Sequence, residues 1–177
     1  MTHHINNVCK SASHAIRNIG RIRKYLGKGD CEKLIHAFAT FRLDCCNSIL
    51  YGLPMSELSK LQRLQNTAAD HITPVLRNLH WLPVQSRITY KILLLTYKAL
   101  NGMAPVYISE LLHIYKPSRS LRSANQNLLV IRRSNTATYG DRTFPICAPK
   151  PWNSLPATIR GTQSLRNFRS QLKTYLF

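Results

Sequence analysis

Ile5, Val8, Ala12, Ala15, Ile16, Ile19, Ile22 and Leu26 recur at three- and four-residue spacing through residues 5–26. This spacing predicts a helix with one apolar stripe. With successive side chains about 100° apart, Lys10, Arg17, Arg21 and Lys24 fall together on the opposite face. Arg23 projects to the edge of the apolar face, where its stem can lie on apolar surface while its head reaches water. Gly27 and Gly29 are expected to end this helix, and Asp30 to cap the next by accepting its free amides. Over residues 31–51 the apolar positions Leu34, Ile35, Phe38, Phe41, Cys45, Ile49 and Leu50 cover much of the circumference, which predicts a mostly buried helix. Gly52 and Pro54 stop it. Ser56 is placed to cap a third, shorter amphipathic helix carrying Leu58, Leu61, Leu64 and Ala68.

Residues 70–82 read as a short helix, His71 to Leu79, leading into a turn. Pro83 then stands near the start of another helix, at about residues 84–100, where its missing amide costs little. In that helix Ile88, Ile92, Leu93, Leu95 and Leu100 dominate, while Arg87, Lys91 and Lys98 form a narrow strip read as the solvent edge. Asn101 and Gly102 supply the C-terminal cap, and Pro105 to Tyr115 read as a further short helix. Beyond Lys116 the texture changes. LLVIRR, residues 128–133, is β-like, and TFPICAPKPWNSLP, residues 143–156, is too rich in proline for a helix and reads as extended or irregular. A last amphipathic helix at about residues 164–176 packs Leu165, Phe168, Leu172 and Tyr175 and exposes Arg166, Arg169 and Lys173. The fold class expected is therefore mainly α, with one short β or irregular segment. No internal repeat is visible.

Charge changes the picture more than length does. The 177 residues are 44% hydrophobic, enough to fill a core, yet 25 Lys and Arg face only 7 Asp and Glu, a net charge of +18. Residues 116–177 alone hold 11 basic side chains against Asp141, a net of +10. Such a self-repelling balance points to a polyanionic partner, nucleic acid first and an anionic membrane second. No uninterrupted apolar run nears the roughly 20 residues that span a bilayer, so no membrane crossing is expected. The five cysteines are odd in number and irregularly spaced, and no cleavable apolar leader follows Met1. A reducing interior, nucleus or cytoplasm, is the expected location.

Little chemistry is legible. The carboxylates Asp30, Glu32, Asp44, Glu57, Asp70, Glu110 and Asp141 form no DxD, DD or ExxE pair that would seat catalytic Mg²⁺. Asp30 reads as a cap before any catalytic role. No CxxC, HxxxH or knuckle spacing marks a zinc site, and Cys45 and Cys46 point in different directions on a helix. Buried small hydrophobes are the better reading of the cysteines, although a Cys–His nucleophile pair stays open. Gly27 and Gly29 flank Lys28 without the rest of a phosphate loop. Trp81 and Trp152 either stack bases or anchor core and loop, the latter being the commoner role. The basic stripe is more pointed. With no acid before Asp30, i,i+4 ion pairing does not account for it, leaving phosphate contact or a merely solvated face.

Several long stretches also resemble a known family: HINNVCKSASHAIRNIGRIRKYL (4–26), LIHAFATFRLDCCNSILYGLP (34–54), LQRLQNTAA (61–69), DHITPVLRNLHWLPVQSRITYKILLLTYKALNGMAP (70–105) and YGDRTFPICAPKPWNSLPATIR (139–160). They are similar to the carboxy-terminal part of jockey-like, LINE-type (non-LTR) reverse transcriptases, over nearly the whole chain. The resemblance implies a thumb-like helical bundle at residues 1–69 followed by the family's carboxy-terminal region, which the residue pattern divides into a helical part at 70–115 and a basic extended or irregular segment with a terminal helix at 116–177. The family carries its catalytic aspartates in a (Phe/Tyr)-x-Asp-Asp motif on the palm, and this chain contains none. Three departures stand out: residues usual between Ala69 and Asp70 are missing, Cys45 replaces a tyrosine, and Arg132 replaces a common proline. They fit a decaying element copy.

The function expected is that of a truncated retrotransposon RNA-directed DNA polymerase. The fragment lacks polymerase activity and binds RNA, DNA or hybrid duplex through backbone phosphates. Lys10, Arg17, Arg21, Lys24 and Lys28 are the candidate contacts. No catalytic residue, metal or cofactor is expected, since Mg²⁺ would belong to the missing palm. The alternatives are a helical protein-interaction or structural module, self-associating through exposed apolar faces, and a non-functional remnant without a stable fold.

Overall fold

A computed structural model describes residues 1–45, 47–72, 82–117, 127–136 and 139–177, with the backbone alone for Lys28 and residues 69–72. The chain is mainly helical and holds no β-sheet among the described residues. It divides into two compact units, residues 1–47 with 53–87, and residues 48–52 with 88–177.

The first unit is built on α1, Thr2–Ile22. Its stripe Ile5, Ala12, Ile16 and Ile19 is buried, as the spacing predicts. Val8, Ala15 and Leu26 are half-buried, whereas Ile22 is exposed, because the helix gives way to a 3₁₀ turn at Arg23–Tyr25. Leu26 and Gly27 are extended, and α2 starts at Lys28 and runs to Ile35. Gly29 therefore lies inside this second helix and does not end the first. Asp30 sits in its first turn and makes no side-chain cap. Its carboxylate instead takes Lys33 Nζ at 3.1 Å.

The expected single helix over residues 31–51 is four pieces: α2, a π turn at His36–Thr40, α3 at Phe41–Asp44, and a 3₁₀ turn at Asn47–Leu50, of which residues 48–50 are counted with the second unit. The i→i+5 hydrogen bonding of a π turn adds a residue to the turn and shifts the buried face. Ala39, Thr40 and Leu43 consequently turn inward, and Phe38 and Phe41 turn out. Cys45 is exposed with extended backbone, which ends the run, and Ile49 is exposed as well. The mostly buried helix is thus a partly exposed one.

The third helix, α4 (Met55–Ile72), buries Leu58, Leu61, Leu64 and Ala68 as expected. Ser56 lies within its first turn, where its carbonyl accepts Ser59 Oγ at 2.8 Å. The Ala69–Asp70 junction falls inside α4 and is helical on both sides. His71 and Ile72 close α4 and do not open a new helix; the rest of that expected helix, with Trp81, lies outside the described residues. α1 packs against α4 and against the helical run 28–44. Two glutamines of α4 secure the return of the chain: Gln65 Nε2 donates to Leu82 O at 3.0 Å, and Gln62 Oε1 accepts Val84 N at 2.9 Å. The second contact satisfies one of the free amides that begin α5, Val84–Leu100.

In the second unit α5 buries Ile88, Ile92, Leu93, Thr96, Tyr97 and Ala99. Leu95 and Leu100 are half-buried, so the leucine block is core and its margin. Met103 N reaches back to Lys98 O at 2.8 Å over Gly102, whose φ is +68°, the left-handed C-terminal cap expected of Asn101–Gly102. Of the helix expected over Pro105–Tyr115 only α6, Val106–Ser109, forms. Ile114 instead makes an isolated antiparallel bridge with Leu129, all that becomes of the β-like segment.

The proline-rich segment is helical, contrary to the expectation from its composition. It forms two short helices, α7 (Phe144–Cys147) and α8 (Pro149–Asn153), and a third, α9 (Ala157–Arg160), follows directly after it. Pro145 and Pro149 occupy first-turn positions and Pro156 precedes α9, places where no helical amide is needed and a φ near −65° is pre-set. α10, Leu165–Leu176, buries Phe168 and Leu172, leaves Leu165 half-buried and exposes Tyr175. Phe168 stacks on Tyr97 with centroids 4.1 Å apart and lies 6.1 Å from Trp152. Trp152 is a core anchor, 1% exposed, with Nε1 donating to Asn127 O at 2.8 Å. Among the described residues no helix is long and apolar enough to cross a membrane.

Candidate nucleic-acid interface

A strongly cationic feature carried on one long regular element is the exposed side of α1. Lys10, Arg17 and Arg21 lie on the helix proper, and all three are exposed. Their opposition to Ile5, Ala12, Ile16 and Ile19 follows from the helical period, because the same repeat that buries one stripe turns the other outward. Arg17 Nε donates to Ser13 O at 3.3 Å, which lays the guanidinium stem along the helix.

Lys24 is exposed but stands in the 3₁₀ turn, off the α-helical rotation, with Nζ 4.8 Å from the Tyr25 ring centroid. That cation–π contact holds the ammonium over an aromatic that is itself 78% exposed. Lys28 opens α2, and its side chain lies outside the described residues.

Among the described residues the carboxylates in ion pairs are taken by other cations: Asp30 by Lys33, Glu57 by Lys60, and Asp44 by Arg87. None of these pairs involves Lys10, Arg17, Arg21 or Lys24. Unneutralised charge on a rigid helix raises the local potential without the entropy loss of ordering a loop.

The structure adds residues that the linear pattern did not single out. A groove of about 720 Å³ runs along the flank of α1 beside the helical run 28–44. Lys10 and Arg17 line it together with His14, Arg42 and Phe38, whereas Arg21 and Lys24 do not. The sequence signal for Arg42 was an unremarkable arginine in a helix expected to be buried, and Phe38 looked like core. Both were missed because a π turn leaves no mark in apolar periodicity.

Elsewhere a few buried ionisable groups serve the fold. Arg160, 7% exposed, donates from Nη1 to Asn153 O and Leu155 O at 2.8 and 2.6 Å, satisfying the carbonyl that ends α8 and another just beyond it. Burial lowers its pKa from the ordinary arginine value. Burial pushes the Cys147 thiol up to about 11 and raises that of Cys9 as well. Both thiols are thus held in the protonated, unreactive form near neutral pH. No three His, Cys, Asp or Glu side chains gather as metal ligands among the described residues.

No family model, curated protein or solved structure matches this chain.

Proposed function

We propose that this chain is the thumb and carboxy-terminal part of a jockey-like, LINE-type reverse transcriptase, a fragment that grips template–primer duplex through backbone phosphates. It performs no polymerase chemistry itself, because the (Phe/Tyr)-x-Asp-Asp motif is not among its 177 residues. The observation that carries the reading is the row Lys10, Arg17 and Arg21, continued by Lys24. Lys10, Arg17 and Arg21 are exposed along α1 opposite its buried stripe, Lys24 is exposed in the 3₁₀ turn that follows, and all four stand outside the ion pairs of the described residues. Phosphate contacts of this kind fix a duplex in register and orientation without reading its bases.

Competition between duplexes of equal length and unrelated sequence tests it. Equal affinities are expected, and a strong preference for one sequence contradicts a backbone grip.

A second reading, a helical interaction module, is favoured by apolar side chains on the second unit. Val106, Tyr107 and Ile131 are 70%, 67% and 59% exposed. Sedimentation with and without duplex separates the two: oligomers indifferent to nucleic acid support the module, and monomers that shift on adding duplex support the grip.

A further inference from the structure

The groove beside α1 has a composition that a duplex grip does not require. Its wall and floor include Ala15, Ile19, Ile22, Leu34 and Phe38, an apolar lining, yet Lys10, Arg17 and Arg42 stand around it. His14, Asn7 and Asn18 add polar groups along one side, and no carboxylate is among its lining residues. Phe38 is 47% exposed there, an aromatic that the expected register would have buried. The π turn that presents it also holds Thr40, whose Oγ1 is buried without a hydrogen-bond partner. π turns recur at functional sites, and a buried hydroxyl without a partner is a local cost of this one.

A ligand matching this lining has a flat apolar part and strong negative charge on the same short piece. A single nucleotide is that kind of molecule, since base–aromatic stacking and phosphate–cation pairing are the two interactions by which unpaired strands are held. Bases inside a duplex are stacked on one another and do not reach such a groove. The volume of about 720 Å³ lies within the roughly 300–1,000 Å³ of ligand clefts. Lys10 and Arg17 belong both to the cationic row and to the groove, so a strand leaving the duplex is led from one to the other.

We propose that the groove between α1 and the helical run 28–44 takes one unpaired nucleotide at a junction of duplex and single strand. Its base lies against Phe38, and its phosphates lie on Lys10, Arg17 and Arg42. The inference deepens the duplex-gripping reading and rests on it.

The test compares the full chain on a blunt duplex and on the same duplex with a short single-stranded extension carrying 2-aminopurine. The extended duplex is expected to bind at least about five-fold more tightly, with a change in 2-aminopurine fluorescence. Phe38→Ala is expected to remove that preference, and Phe38→Trp to retain it, each checked for an unchanged melt. Equal affinity for the two duplexes, or a preference that survives Phe38→Ala, overturns the groove assignment and leaves the duplex grip standing. Binding to the extension with none to the blunt duplex overturns the grip and leaves the groove. Loss of both overturns both. An acidic, aromatic peptide that displaces the extended strand at lower concentration than a free single strand assigns the groove to a protein partner instead.

Discussion

Arg87 embraces Asp44 across 43 residues of sequence, with Nε donating to Oδ1 at 2.9 Å and Nη2 to Oδ2. Both side chains are less than a third exposed, 16% and 29%. Sequence reasoning put Arg87 on a solvent strip with Lys91 and Lys98. Lys91 is indeed exposed and Lys98 half-buried, but Arg87 is a tether between the end of α3 and the first turn of α5. Asp44 also accepts Asn47 Nδ2 at 3.3 Å, so one carboxylate organises the end of the helical run. Arg87→Ala or Asp44→Ala is expected to lower stability by about 1–3 kcal/mol, since either leaves a half-buried charge unpaired. A double-mutant cycle in denaturant should show coupling between them, and additive losses would contradict the tether. Arg87→Lys should restore only part, because an ammonium lacks the planar fork.

Trp152 anchors the second unit. Trp152→Ala is expected to cost about 3–5 kcal/mol, as large buried aromatics do. Trp152→Phe, which keeps the packing and loses the bond to Asn127 O, should cost about 1 kcal/mol. A loss in chemical denaturation below 1 kcal/mol for the alanine variant, ~0.5 say, would mean that the second unit is not packed around this ring.

Gly102 gives a smaller, backbone effect. Its φ of +68° is costly for any residue with a Cβ, although no heavy atom beyond the adjoining residues lies within 4 Å of where that Cβ would be. Gly102→Ala should therefore lower stability by about 1 kcal/mol through conformation alone, with Gly102→Asn milder. A neutral alanine variant, judged by its melting temperature, contradicts the left-handed cap.

Cys147 gives a pH signature. Its thiol pKa is raised from 9.0 to about 11 by burial, so the folded chain holds the proton more tightly than the unfolded chain does. The stabilisation is fully present below pH 9.0 and is lost as pH rises from there through about 11. Cys147→Ala should flatten that part of the stability profile, and native Cys147 should resist alkylation at neutral pH. Rapid native labelling at pH 7 contradicts its burial.

How much of this was legible depends on which interactions decide each element. α1, α4, α5 and α10 follow from local periodicity, and their buried positions Ile16, Leu61, Ile92 and Phe168 are where the pattern puts them. The Asn101–Gly102 cap was legible for the same reason, since only near neighbours fix it. The π turn at His36–Thr40 was not, because Phe38 and Phe41 satisfy an α-helical stripe equally well on paper. The proline-rich segment misled through a rule that holds for helix interiors and fails for first turns. A one-turn helix such as α8 has no interior. The partner of Leu129 is another non-local choice: Asn153 takes both its N–H and its C=O at 2.8 Å, standing in for a strand. At the candidate interface the row on α1 was readable in advance, whereas Arg42 and Phe38 needed the fold.

The salt dependence of duplex affinity tests the central claim most directly. If Lys10, Arg17, Arg21 and Lys24 each neutralise one phosphate, log K against log salt should fall with a slope near about −3.6, and each alanine replacement should reduce its magnitude by about 0.9. A flat response, or a slope unmoved when all four are replaced, contradicts the grip.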